Sequence, residues 1–261
     1  MLPKVTIFGV GIDPVTKDDV LERIRTALET GRRCVVAHVH VKGLNLAYRM
    51  PWLVEFFNRA DIVYCDGYGV RMGAFLLGKR LPARFTLADW IHELLEVVVR
   101  SGKSVYFLGN PPGVAEKAAA ALAEAHPGLQ IAGSHHGYFD PETGSDENEA
   151  VLRSILDARP GLLLVGMGMP LQEAWVRDNL ARLDEISIMT VGGVFEYWGG
   201  NLVRSPRWMT ENGLEWLALT LQAPARYWKR HLIGNPLFLM RVLRERIVPG
   251  AEEPANGRMG E

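Results

Sequence analysis

Asp61-Ile-Val-Tyr-Cys-Asp-Gly-Tyr-Gly69 decides the reading of the fold. The short apolar run 62–65 reads as a strand buried in a parallel sheet, and it ends in an acid followed by Gly67 and Gly69. Asp66 therefore stands where a strand hands over to a loop. In open α/β sheets the crevice beyond the carboxyl ends of the strands is where ligands bind. The competing assignment for Asp66 is a cap on the next helix.

Outward from that stretch the pattern repeats. Before it, 5–8 and 34–40 read as strands, Thr16 with Asp19 opens a helix closed by Gly31, and Pro51 starts another. His38 and His40, two apart on a strand, face the same side. Gly9-Val-Gly11 lacks the third glycine and the immediate helix of a dinucleotide fingerprint. After it, 70–77 is helical, Thr86 and Asp89 open a helix over 87–100, and 104–109 is a strand. That strand runs into Asn110-Pro-Pro-Gly113 and an alanine-rich helix, a turn whose free N–H groups suit an anion. Further strands are read at 129–132, at 162–168 in the sheet centre, and at 186–191 before Gly192-Gly193. These β–α alternations, with no hairpin signal, predict a Rossmann-like, mostly parallel sheet with flanking helices.

From Trp198 the chain changes character. Helical segments broken at Pro206, Pro224 and Pro236 carry Trp208, Trp216 and Trp228 among basic residues. Residues 198–248 hold a net +5, leaving −6 for the rest of a chain whose total is −1. The expected organisation is a catalytic core over 1–197, a basic, membrane-facing helical appendage over 198–248, and a disordered tail over 249–261. Indoles beside cations suit an anionic membrane surface. The near-neutral total argues against nucleic acid as partner. Cys34 and Cys65, both in apolar runs, read as reduced buried thiols of a cytosolic protein. The start is not read as an export signal, and no run is long and apolar enough to span a bilayer.

Several separated motifs add to this. They are Cys65-Asp66-Gly67-Tyr-Gly69-Val70, Leu81-Pro-Ala-Arg84 with Asp89, Phe107-Leu-Gly109 with Pro112-Gly-Val-Ala-Glu116, and Gly137-Tyr-Phe139. Gly168-Met-Pro-Leu-Gln-Glu173, Gly192-Gly-Val-Phe195 and Arg204-Ser-Pro-Arg-Trp208 with Leu214-Glu-Trp216 follow. Their order resembles that of the WecG/TagA/CpsF glycosyltransferases over nearly the whole chain. The resemblance implies transfer of a sugar, typically N-acetylmannosamine, from a UDP-sugar to a polyprenyl-diphosphate-linked sugar. It implies inversion, no metal, no cofactor, and a peripheral position on the inner face of the cell membrane. It assigns Asp66 as general base, with Arg84, Asp89 and Gln172 at the active site and Glu196 near the nucleotide, where the family usually has Asp. Gly109, Tyr138, Gly193, Arg226 and Arg230 fall in the substrate-binding motifs.

Two departures stand out. His38-Val-His40 replaces the family's Thr-x-Asn, which assigns both histidines to substrate binding. Leu219 stands where an arginine is expected after Glu215-Trp216. A rival assignment makes His38 and His40, with Asp66 and His135 or His136, the ligands of a hydrolytic metal centre. A second rival is a non-catalytic membrane-associated scaffold. Homo-oligomerisation stays open.

Overall fold

The computed structural model describes residues 3–82 and 84–248; the expected tail over 249–261 lies outside them. The chain begins with a feature the sequence reading did not anticipate. Strands β1 (Val5–Ile7) and β2 (Val10–Ile12) pair antiparallel as a hairpin. Phe8 and Gly9 both take positive φ, 50° and 76°, as a two-residue hairpin loop of this hand requires. Phenylalanine rarely adopts that conformation, and here its ring is held edge-on by Tyr48 and Phe238, at 5.1 and 5.7 Å between centroids. Gly9 thus serves a turn.

Helix α1 (Lys17–Thr30) starts from a complete capping box between Thr16 and Asp19 and stops at Gly31 in the left-handed region. Strand β3 (Val35–Val39) leads into α2 (Val41–Ala47), a helix the sequence reading missed, then α3 (Pro51–Arg59), β4 (Ile62–Cys65) and α4 (Tyr68–Leu76). Next come α5 (Leu87–Arg100), β5 (Ser104–Gly109), α6 (Val114–Ala125), β6 (Gln130–His135) and α7 (Asp146–Ala158). Strand β7 (Leu162–Gly166), α8 (Leu171–Asn179), β8 (Ser187–Thr190) and α9 (Phe195–Trp198) complete the alternation.

The six strands β3 to β8 form one parallel sheet in the order β4-β3-β8-β7-β5-β6. Its central strands β3, β8 and β7 are buried at every position because both faces are covered. Leu163 and Val165 of β7 face the hairpin side, with α3, α7 and α8. Leu162 and Leu164 face α1, α5 and α6. The chain leaves β5 toward β6 but leaves β7 toward β8, so the connections that follow these paired neighbours part in opposite directions and leave a crevice beyond the strand ends.

Four more helices follow: α10 (Arg207–Glu211), α11 (Glu215–Gln222), α12 (Pro224–Trp228) and, after a π-helical turn at Lys229–Ile233, α13 (Gly234–Ile247). Pro236 does not break the chain as expected; it sits in the first turn of α13, where its missing N–H is tolerated. Helix α13 belongs to the core. Phe238 and Val242 are fully buried in the hairpin-side cluster, and Gly73 of α4 leaves the space that Phe238 fills. Arg241 donates to the backbone and side-chain oxygens of Asn45 and lies over Tyr48 at 4.2 Å. No helix among the described residues is long and apolar enough to cross a membrane.

Candidate active site

The carboxyl ends of β3, β4 and β8 open into a cavity of about 210 Å³, closed on its far side by residues of α10–α12 and the π-helical turn. Asp66 enters it directly after β4, its backbone N–H donating to the Val39 carbonyl. It does not cap α4; Gly67, at φ 105°, holds that position without a side-chain bond. Instead Asp66 Oδ1 accepts a 2.6 Å hydrogen bond from the Thr86 hydroxyl. Thr86 is the N-cap residue of α5, yet its side chain makes no capping bond. Arg84 donates to Thr86 Oγ1 at 3.1 Å and to Glu215 Oε2 of α11 at 3.0 Å. Arg204 then joins Glu215 to Asp89. Asp89 therefore sits at the outer end of the network, outside the cavity lining.

His38 and His40 both line the cavity, their rings 5.6 Å apart. They present opposite hydrogen-bonding faces. His38 Nδ1 lies 2.9 Å from the Thr190 carbonyl, which only accepts, so Nδ1 carries the proton and Nε2 keeps its lone pair. His40 Nδ1 accepts from the Gly43 N–H and caps α2, which leaves Nε2–H as a donor. Burial pushes both imidazoles below their ordinary range, so both are neutral at pH 7.

A second cleft, about 280 Å³, lies beyond β5, β7 and β8. Tyr138, largely exposed, and Asn110 line it, as do Glu196 and Arg226. Arg226 of α12 holds both carboxylate oxygens of Glu196, at 2.7 and 2.8 Å. Gly109 lies behind this cleft: at φ 132°, a Cβ would come 2.3 Å from the Gly166 carbonyl carbon, so only glycine lets β5 and β7 converge. The two cavities share Gly192 and Gly193. Arg226 faces the outer one, and Arg230, one helical turn on, faces the inner one. Arg84, Arg204 and Arg226 are ion-paired; Arg230 forms no ion pair among the described residues and stands over the Tyr227 ring.

Gln172 is fully buried and lines neither cavity. Its Oε1 accepts from the N–H groups of Gly168 and Gly192, and its Nε2 donates to Glu173 Oε1. It fixes the loop that carries Gly192. Burial pushes the Glu173 carboxyl up to about 7.

The ligand set of the metal rival does not assemble. His135 and His136 stand apart from His38 and His40, His135 packing on Phe139. Among the described residues no three histidine, cysteine or acidic side chains group as metal ligands. Sequence reasoning treated Thr86 as a cap and Glu215 as part of a family motif, without giving either a role in the site. A threonine-x-x-aspartate box is a local signal, and nothing local announces that its hydroxyl is turned toward another strand end.

Known proteins match this chain along nearly its whole length. The sequence profile of the glycosyl transferase WecG/TagA/CpsF family matches residues 5–251. N-acetylglucosaminyldiphosphoundecaprenol N-acetyl-beta-D-mannosaminyltransferases from Staphylococcus aureus strains MW2, NCTC 8325 / PS 47 and MRSA252 are each 29% identical to it over 245 residues, 92% of either chain. A profile match of that extent, over a parallel sheet with an acid at the end of β4, shows that the chain belongs to the WecG/TagA/CpsF family of glycosyltransferases.

Proposed function

We propose that this protein transfers an N-acetylmannosamine-like sugar from a UDP-sugar to an N-acetylglucosamine carried on undecaprenyl diphosphate, with inversion and without a metal ion. The meeting of two cavities at Gly192 and Gly193 carries the reading. The outer cleft offers an exposed ring, Tyr138, for a base and a carboxylate, Glu196, for a ribose. The inner cavity offers the carboxylate of Asp66, and Arg226 and Arg230 flank the junction where a diphosphate would lie. The acceptor hydroxyl oxygen attacks the anomeric carbon as its proton passes to Asp66. The bond from that carbon to the diphosphate oxygen breaks, and its electron pair leaves on the nucleotide, drawn by Arg226 and Arg230. One displacement from the face opposite the leaving group inverts the configuration.

A peripheral position on the inner membrane face belongs to the same reading. Trp208, Leu221, Leu232 and Ile233 are exposed on the C-terminal segment, as is Lys229, a composition that suits anionic headgroups.

Turnover of UDP-N-acetylmannosamine on a lipid-diphosphate N-acetylglucosamine acceptor, with UDP calorimetry alongside, tests the proposal. Asp66→Asn is expected to bind UDP like the parent and to lose about 10²–10⁴-fold in kcat. Chelator is expected to leave both readings unchanged. Parent-like turnover in Asp66→Asn would remove the base, and chelator-sensitive turnover would remove the metal-free step.

A further inference from the structure

The Thr86 hydroxyl is in an unusual position for its sequence. Thr86 and Asp89 form the same threonine-x-x-aspartate pattern as Thr16 and Asp19, each at the head of a fourteen-residue helix. Both threonines have extended N-cap backbones, and Thr16 makes both halves of the box. At α5 neither half forms: the Thr86 hydroxyl goes to Asp66, and Asp89 goes to Arg204. An N-cap hydroxyl ordinarily stabilises its own helix, so an idle N-cap threonine points to another use of the hydroxyl.

The direction of the bonds says what that use is. A hydroxyl has one hydrogen. Arg84 donates to Thr86 Oγ1, and the Thr86 hydrogen goes to Asp66 Oδ1. That oxygen is therefore occupied as an acceptor, and Asp66 Oδ2 receives no bond from the described residues. Arg84 is held in turn by Glu215 of α11, and the side chains of Arg84 and Glu215 are largely buried. We infer that Thr86 is a positioning residue for Asp66, and that the chain Glu215–Arg84–Thr86–Asp66 ties the aim of the carboxylate to the seating of α11. The inference rests on the assignment of Asp66 as base. With Oδ1 held, Oδ2 is the oxygen presented to the acceptor hydroxyl, and it is presented only when α11 is docked.

Steady-state kinetics on Thr86→Val and Thr86→Ser, in the same UDP-N-acetylmannosamine assay, test it. Thr86→Val keeps the shape and loses the hydroxyl. Its kcat is expected to fall by about 10–100-fold with both KM values within about twofold of the parent. Thr86→Ser is expected to restore kcat to within about threefold of the parent. In a double-mutant cycle, the kcat loss of Glu215→Gln is expected to shrink in the Thr86→Val background. Parent-like kcat in Thr86→Val, or a serine variant as impaired as the valine one, would overturn the positioning role. Strict additivity in the cycle would cut Glu215 out of the chain. If Asp66→Asn itself turns over normally, the base assignment fails; if Asp66→Asn is inactive while Thr86→Val is not, only this inference fails.

Discussion

Helices α1 and α5 begin with the same four-residue logic and put it to different ends. At α1 the threonine and aspartate satisfy the helix's own unpaired N–H groups, and the box stays a local matter. At α5 the same residue types reach away, Thr86 to the end of β4 and Asp89 to Arg204 of the C-terminal segment. The first arrangement stabilises the fold; the second gives up that stabilisation to fix a side chain in a cavity. A site is where a locally sensible motif is found doing non-local work.

The contrast breaks most visibly at Asp66. Replacing it by alanine removes the partner of Thr86 and frees the hydroxyl to cap α5. We expect Asp66→Ala to lose turnover by about 10²–10⁴-fold while melting no lower than the parent. A large drop in melting temperature would mean that Asp66 holds the fold as well as the chemistry.

Glu173 offers the next test, because it too is held away from its ordinary state in support of the site. Its carboxyl, pushed by burial from 4.5 to about 7, binds a proton more tightly in the folded chain than in the unfolded one. Its contribution is therefore fully present below about pH 4.5 and is lost as pH rises through about 7. Glu173→Gln keeps an oxygen for Gln172 and cannot ionise. Relative to the parent it is expected to gain on the order of 3 kcal/mol in going from pH 4.5 to pH 8, read by urea unfolding at both values. Burial of His38 and His40 works in the opposite sense, weakening the fold below about pH 6.5, but it is common to both proteins and cancels in the difference.

Thr16→Val should show the purely local case. It is expected to lower stability by about 1 kcal/mol, or about 2–4 °C in Tm, with kcat unchanged. Smallest of all, Asp89→Asn weakens a half-exposed pair with Arg204, and a change below about 1 kcal/mol in stability is expected by the same melt. A larger loss of activity than of stability there would extend the network's influence to its outer end.

The sequence was most informative where one residue carries one local instruction. The strand before Asp66, the β5-to-α6 turn and Gly31 each act through their own neighbourhood, and each element appears where expected. The hairpin was hidden because its turn uses Phe8, a residue whose positive φ is supported by Tyr48 and Phe238 from far along the chain. Helix α2 was hidden because its cap is an imidazole, His40, where hydroxyl and short carboxyl or amide side chains are the usual signal. In the site, the positions of Asp66, His38 and His40 followed from strand ends. The buried course of Gln172, the pairing of Arg226 with Glu196 and the reach of Thr86 depend on which loops meet, and spacing alone does not encode that.

Helix α13 has a practical bearing on how the cavity is dissected. Phe238 and Val242 anchor it in the same apolar layer as the hairpin and α4, and Phe195 anchors α9 beneath the opposite face of the sheet. The covering segment α10–α12 is thus tethered at both ends, an insertion between two anchors and not a detachable tail. Deleting inward from the carboxyl end removes Phe238, a side chain whose loss costs about 3–5 kcal/mol, before it reaches Arg230 or Glu215. Such a series reads unfolding first, and a short linker replacing 203–230 is the cut that opens the cavity while leaving both anchors in place.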